Sequence, residues 1–219
     1  MSDATWRDQY KRAVRSAKLV KALADGTVTA MPPELFDPED AVFHFCADAF
    51  HLRDWIAAAA VDREQFDNAK AFNKALDARV KQLDKELFKR SPALAACRDI
   101  ANGYKHWKLT TPTFLPGGEH SELIGRAFEM DFKKPHQSKS TYTVQVGEHR
   151  IEAQELSGLA MGTWDVWFGS SSTIAKELRE ELAADPWTGF PWEPQPWGVS
   201  HPTMDIWPIA DIGTVADPH

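Results

Sequence analysis

Cysteine is scarce in this chain: Cys46 and Cys97 are the two among 219 residues. Two thiols cannot build the disulfide framework of a small secreted domain. Each lies inside an apolar helical pattern, which fits buried reduced thiols, with a single pairing left open. Also missing is any apolar run of about 18 residues, the length needed to span a bilayer. Residues 2–21 are charged and lack the apolar centre of a signal peptide, so a soluble cytoplasmic protein is expected. There is no phosphate loop, dinucleotide fingerprint, Gly-x-Ser-x-Gly elbow, Cys-x-x-Cys pair or His-Glu-x-x-His motif. No cofactor and no metal are expected on those grounds.

Lys and Arg are absent from residues 185–219, which carry Asp185, Glu193, Asp205, Asp211 and Asp217. Five of the seven net negative charges therefore lie in the tail. The acidic total argues against a globally basic nucleic-acid binder but leaves room for local basic faces. The same tail holds Trp187, Trp192, Trp197 and Trp207 among seven prolines. That proline density forbids regular helix, and tryptophans are too large a hydrophobic payload to stay solvated. An acidic, extended Pro/Trp-rich segment packed on the body is expected, with a partner-binding arm as the alternative.

What is present is mostly helical grammar. A first helix is expected from about Thr5 to Ala24, stopped at Asp25-Gly26. Its cationic stripe, Arg7, Lys11, Arg15 and Lys18, reads either as a solvated face or as a set of phosphate contacts. Met31 to Phe36 is a connector, and Asp37-Pro38 starts a second helix that runs through Trp55 to the alanines ending at Ala60. That helix is apolar on most sides, with His44, Asp48, His51, Arg53 and Asp54 as exceptions. A third helix is expected from about Arg63 to Lys89, with a core-facing stripe of Phe66, Ala69, Phe72, Leu76, Val80, Leu83 and Leu87. Ser91-Pro92 opens a fourth, ending near Lys108, with Gly103 inside it. Strands are then expected over Ile124 to Phe132 and Thr141 to Glu152, the latter a hairpin turning at Gly147-Glu148-His149. A last helical stretch, about Glu155 to Ala184, should divide at Gly169 to Ser172.

The fold class is therefore mainly α: a helical bundle over residues 1–109, a small antiparallel hairpin or sheet and a packing helix of the same domain over 110–184, and the tail over 185–219. Polar residues interrupt two of the helices. Arg98, Asp99, Asn102 and His106 share one broad face of the fourth, and His51 and Asp54 form a strip on the second. If the two helices are neighbours the strips form a polar seam, in which a carboxylate orients a histidine or pairs with Arg98.

His51-Leu52-Arg53-Asp54-Trp55 together with Arg98 to His106, each on a helix of a bundle, resembles a group of uncharacterised bacterial proteins and, more remotely, the HEPN superfamily. The resemblance covers helices two to four and extends toward the hairpin and the helix after it. It implies metal-independent RNA cleavage with the 2′-hydroxyl as nucleophile, often at a homodimer interface. Arg98 would stabilise phosphate charge, Asp99 would be its polar neighbour and His106 the general acid or base. Seven residues intervene between Arg98 and His106, a longer interval than the family motif carries.

Two functions follow as expectations. One is an intracellular RNA-processing or toxin-type ribonuclease whose site includes Arg98, Asp99, Asn102 and His106, with RNA contacts from Lys11, Arg15, Lys18 and Lys105. The other is a non-catalytic interaction module whose polar seam holds helices in register and whose tail or hairpin meets a protein partner. A metal reading would draw on His44, Cys46, His51, Asp54, Asp99 and His106, which lack tight ligand spacing.

Overall fold

In the computed structural model, the structure describes residues 5–27, 37–105, 112–115, 117–130 and 138–184. They form six α-helices and one three-stranded antiparallel sheet. The Met31 to Phe36 connector, His106 to Thr111 and the Pro/Trp-rich tail lie outside the described residues, as does the expected end of the fourth helix near Lys108.

Helix α1 spans Trp6–Ala24. The Asp8 carboxylate accepts from the Thr5 amide at 2.9 Å and its hydroxyl at 3.1 Å, closing the helix start. These bonds, the backbone one foremost, hold Asp8 below the usual carboxylate range. At the other end Gly26 takes φ 68°, and Thr27 N donates to Ala22 O at 2.9 Å. That 6→1 bond with glycine in the left-handed region is a Schellman stop. Helix α2 spans Pro38–Ala59, with the Asp37 carboxylate accepting from Glu39 N at 2.9 Å and Pro38 in the first turn.

The third helix departs from expectation. It divides into a 3₁₀ turn at Arg63–Gln65, helix α3 at Ala69–Leu83 and a π-helical turn at Asp84–Phe88. Local side chains cause the first break. Asp62 caps the short turn through Glu64 N at 2.9 Å, and Asn68, in extended conformation, restarts the helix by accepting from Ala71 N at 2.9 Å. The core-facing stripe is corrected as well: Leu83 and Leu87 are buried, whereas Phe66, Phe72, Leu76 and Val80 are half-buried and Ala69 is exposed.

Helix α4 spans Pro92–Lys105 and packs on α2. Strands β1, Glu122–Met130, β2, Ser138–Val146, and β3, His149–Glu152, follow in the order β1-β2-β3. Along β2 the side chains of Ser140, Tyr142, Val144 and Val146 are buried, so alternate residues face the helices. Gly147 at φ 58° supplies the left-handed first position of the two-residue hairpin turn. Helix α5, Ala153–Phe168, begins directly after β3, two residues earlier than its sequence pattern announces. The break at 169–172 is present, and α6 runs Thr173–Ala184.

The core is aromatic where α1, α5 and the π turn meet. Trp6 stacks on Phe168 at 5.2 Å between centroids, and Trp164, fully buried, meets Phe88 at 6.2 Å and Trp167 at 5.7 Å edge to face.

Candidate functional site

The polar face of α4 lies where that helix meets the connection into β1. Ser91 hydroxyl accepts from Leu94 N at 3.3 Å and contacts the Thr163 hydroxyl at 3.1 Å, which fixes the helix start against α5. Two turns on, Arg98 and Asp99 are 6% and 1% exposed. Burying a charge demands partners, and both have them. Asp99 Oδ2 accepts from Thr113 Oγ1 at 2.5 Å and from Ser121 N at 3.2 Å. Its Oδ1 faces Arg98 Nη1 at 3.4 Å, and the same Nη1 donates to Pro112 O at 3.0 Å. The Phe114 ring covers the Arg98 guanidinium at 4.3 Å, with Lys89 Nζ 5.8 Å from its centroid. Thr113 Oγ1 also accepts from Leu115 N at 3.1 Å, forming a local turn. One carboxylate thus ties two points of the 112–121 connection to α4.

The His51 and Asp54 strip builds a different cluster. His51 Nδ1 lies 3.1 Å from Asp54 Oδ2, and Arg53 donates to Asp54 Oδ1 through Nε at 3.0 Å and Nη2 at 2.8 Å. Arg53 Nη1 reaches Asp84 in the π turn at 2.7 Å, while its guanidinium lies 4.5 Å from the Phe50 centroid. Burial pushes the Asp54 carboxyl up. The His51 hydrogen bond and the Arg53 charge outweigh that and hold it below its ordinary value. These bonds point from α2 toward the π turn, whereas those of Arg98 and Asp99 point toward β1.

Asn102 is half-buried and Gly103 exposed, so the α4 face opens toward its C-terminus. His106 and the side chain of Lys105 lie outside the described residues. Lys11, Arg15 and Lys18 are exposed along α1, on the side away from its buried Tyr10, Ala13, Ala17 and Val20. His44 is exposed, and among the described residues no three His, Cys, Asp or Glu side chains converge as a metal site. Cys97 faces Cys46 between α4 and α2. Burial above all pushes the Cys97 thiol up and keeps it protonated.

Several polar nodes have no signal in sequence spacing. Tyr10 hydroxyl donates to Asp165 Oδ1 at 2.7 Å across 155 residues of chain, and burial foremost raises the tyrosine pKa. Asp48 receives the Ser16 hydroxyl at 2.7 Å and Gln9 Nε2 at 3.2 Å. Glu86 in the π turn gathers Trp167 Nε1 at 2.9 Å and Ser172 Oγ at 2.8 Å on one oxygen, and Gln82 Nε2 at 2.8 Å on the other. An acid inside an apolar helix, as Asp48 is in α2 and Asp165 in α5, is the available clue. Comparison with family models, with curated proteins and with solved structures finds no match.

Proposed function

We propose that this chain is a non-catalytic helical interaction module in which the Arg98–Asp99 cluster is structural. The burial of those two charges supports this, with hydrogen bonds committed to Pro112, Thr113 and Ser121. A phosphate-binding arginine must meet its substrate, and an arginine under a phenylalanine ring against its own chain does not offer that access. Within this reading, likeness to the HEPN superfamily concerns architecture, a helical bundle followed by a small sheet, and not RNA cleavage. RNA binding without cleavage is a second reading, favoured by the exposed Lys11, Arg15 and Lys18 of α1.

End-labelled RNA incubated with the full chain in EDTA reads both. Intact RNA is expected for the native chain and for His106→Ala alike; cleavage that His106→Ala abolishes overturns the proposal. Retardation of the same RNA that weakens with salt, and weakens further in Lys11→Ala/Arg15→Ala/Lys18→Ala, is the outcome for RNA binding. The structural role of Asp99 has its own measure. Urea unfolding of Asp99→Ala is expected to show a loss of about 3 kcal/mol, because Arg98 keeps its buried charge without the carboxylate. A change below about 0.5 kcal/mol would count against a structural cluster.

A further inference from the structure

Helix α1 carries Arg7, Lys11, Arg12, Arg15, Lys18 and Lys21 against the single acid Asp8, in a chain whose net charge is −7. At about 100° per residue, Arg7, Lys11, Arg15 and Lys18 fall within an arc of about 80°, one cation per turn of about 5.4 Å. Lys11, Arg12, Arg15 and Lys18 are exposed and Arg7 is half-buried. The buried Tyr10, Ala13, Ala17 and Val20 hold the far side of the helix against the body. Acids bonded to α1 are placed off this row. Asp8 accepts from Thr5 at the helix start, and Asp25 pairs with Lys21 at 2.9 Å beyond its other end. Asp48 of α2 and Asp165 of α5 meet Gln9, Ser16 and Tyr10 on the packed side. The row is a cationic ridge on an acidic protein, and a polyanion is the partner it fits.

The side chains around the ridge select among polyanions. A helix that lies on an anionic lipid surface sinks apolar side chains into it. Here the large aliphatic residues beside the row, Val14 and Leu19, pack against the protein core instead. Single-stranded nucleic acid is held to a large extent by stacking its bases on aromatic side chains. The two aromatics of α1, Trp6 and Tyr10, are each 3% exposed and cannot serve as such a platform. What remains is neutralisation of phosphates. Each such contact releases more counterion from a B-form duplex, a salt slope of about 0.9, than from a single strand, about 0.7.

We propose that the exposed ridge of α1 binds the backbone of duplex nucleic acid without sequence preference, through Lys11, Arg15 and Lys18 with Arg12 on the flank. This rests on the nucleic-acid reading proposed second above and narrows it to the duplex.

Fluorescence anisotropy of the full chain tests it, with a labelled DNA duplex, one of its strands and an RNA strand of the same sequence. The duplex is expected to bind with a Kd of about 10⁻⁶ to 10⁻⁴ M, tighter than either strand, with a salt slope of about −3 to −4 from three or four contacts. Lys11→Ala/Arg15→Ala/Lys18→Ala should flatten that slope to about −1. Lys70→Ala/Lys74→Ala/Lys81→Ala removes the same charge from exposed positions of α3 and should leave binding unchanged. Equal losses in the two variants would assign the attraction to net charge and overturn the proposal. An RNA strand bound as tightly as the duplex overturns it and leaves the nucleic-acid reading standing; binding of none of the three overturns both. Tighter binding to phosphatidylserine vesicles than to the duplex also overturns it. All six substitutions place alanine, the best helix former, at exposed helical positions, and an unchanged melting transition verifies each fold.

Discussion

Glu86 shows how a single carboxylate can join three elements. Gln82 reaches it from α3, Trp167 from α5 and Ser172 from the connection to α6. Burial raises its pKa, but the three donors and the nearby Arg90 charge together prevail and set it below the usual value. A folded-state pKa below the unfolded one adds stability above the unfolded value, about 4.3 for glutamate, and that part is lost as pH falls through the folded value. Urea unfolding of the native chain and Glu86→Gln from pH 7 to pH 3 should therefore show a gap that narrows in acid. A gap constant across that range would mean that the carboxylate charge contributes nothing. Tyr10 has the opposite sense: its raised pKa favours the neutral phenol, so its contribution is present below about pH 10 and fades above it.

Elements carry their own stop and start signals, and these were the most legible part of the chain. Gly26, Asp37-Pro38 and the Gly169 to Ser172 break each act on their own neighbours within a few residues, so sequence order is enough to read them. At Gly26 the left-handed conformation has a cost for any other residue. Gly26→Ala should lose about 1 kcal/mol, a fall in Tm of about 2–4 °C in calorimetry. An unchanged Tm would mean that the stop is not limiting.

The third helix was read less well because Phe66 continues the apolar periodicity straight through the break that Asp62 and Asn68 impose. Periodicity also cannot say whether a stripe is covered, only that one exists, which is why α3 looked like a core helix. The polar cluster was half legible. Arg98, Asp99 and Asn102 stand out on one helix, but Thr113 and Ser121 lie 14 and 22 residues from Asp99 in ordinary loop sequence. Nothing in their spacing announces that they close on it.

Over the whole molecule, Trp164 is the point where the layers converge. It is fully buried, touches Phe88, Trp167 and Phe168, and donates from Nε1 to Ala49 O at 3.2 Å, linking α5 to α2. Trp164→Ala should cost about 3–5 kcal/mol. Hydrogen exchange should show lowered protection in α1, α2 and α5 together, as expected of one cooperative unit. Loss confined to α5 would show that the bundle and the sheet-bearing half open separately.

The junction of β3 and α5 couples two kinds of order. Glu152 pairs with Thr143 as the last strand residue, and at φ −75° and ψ 146° it is also the residue from which α5 starts. No loop separates them to absorb an error. A slip of one residue in the hairpin would carry α5 into a phase rotated by about 100° per residue, turning Trp164 away from Phe88. The hairpin is thus proofread by a helix: a wrong strand alignment forfeits the aromatic core, so a three-stranded sheet of modest size can hold a single register.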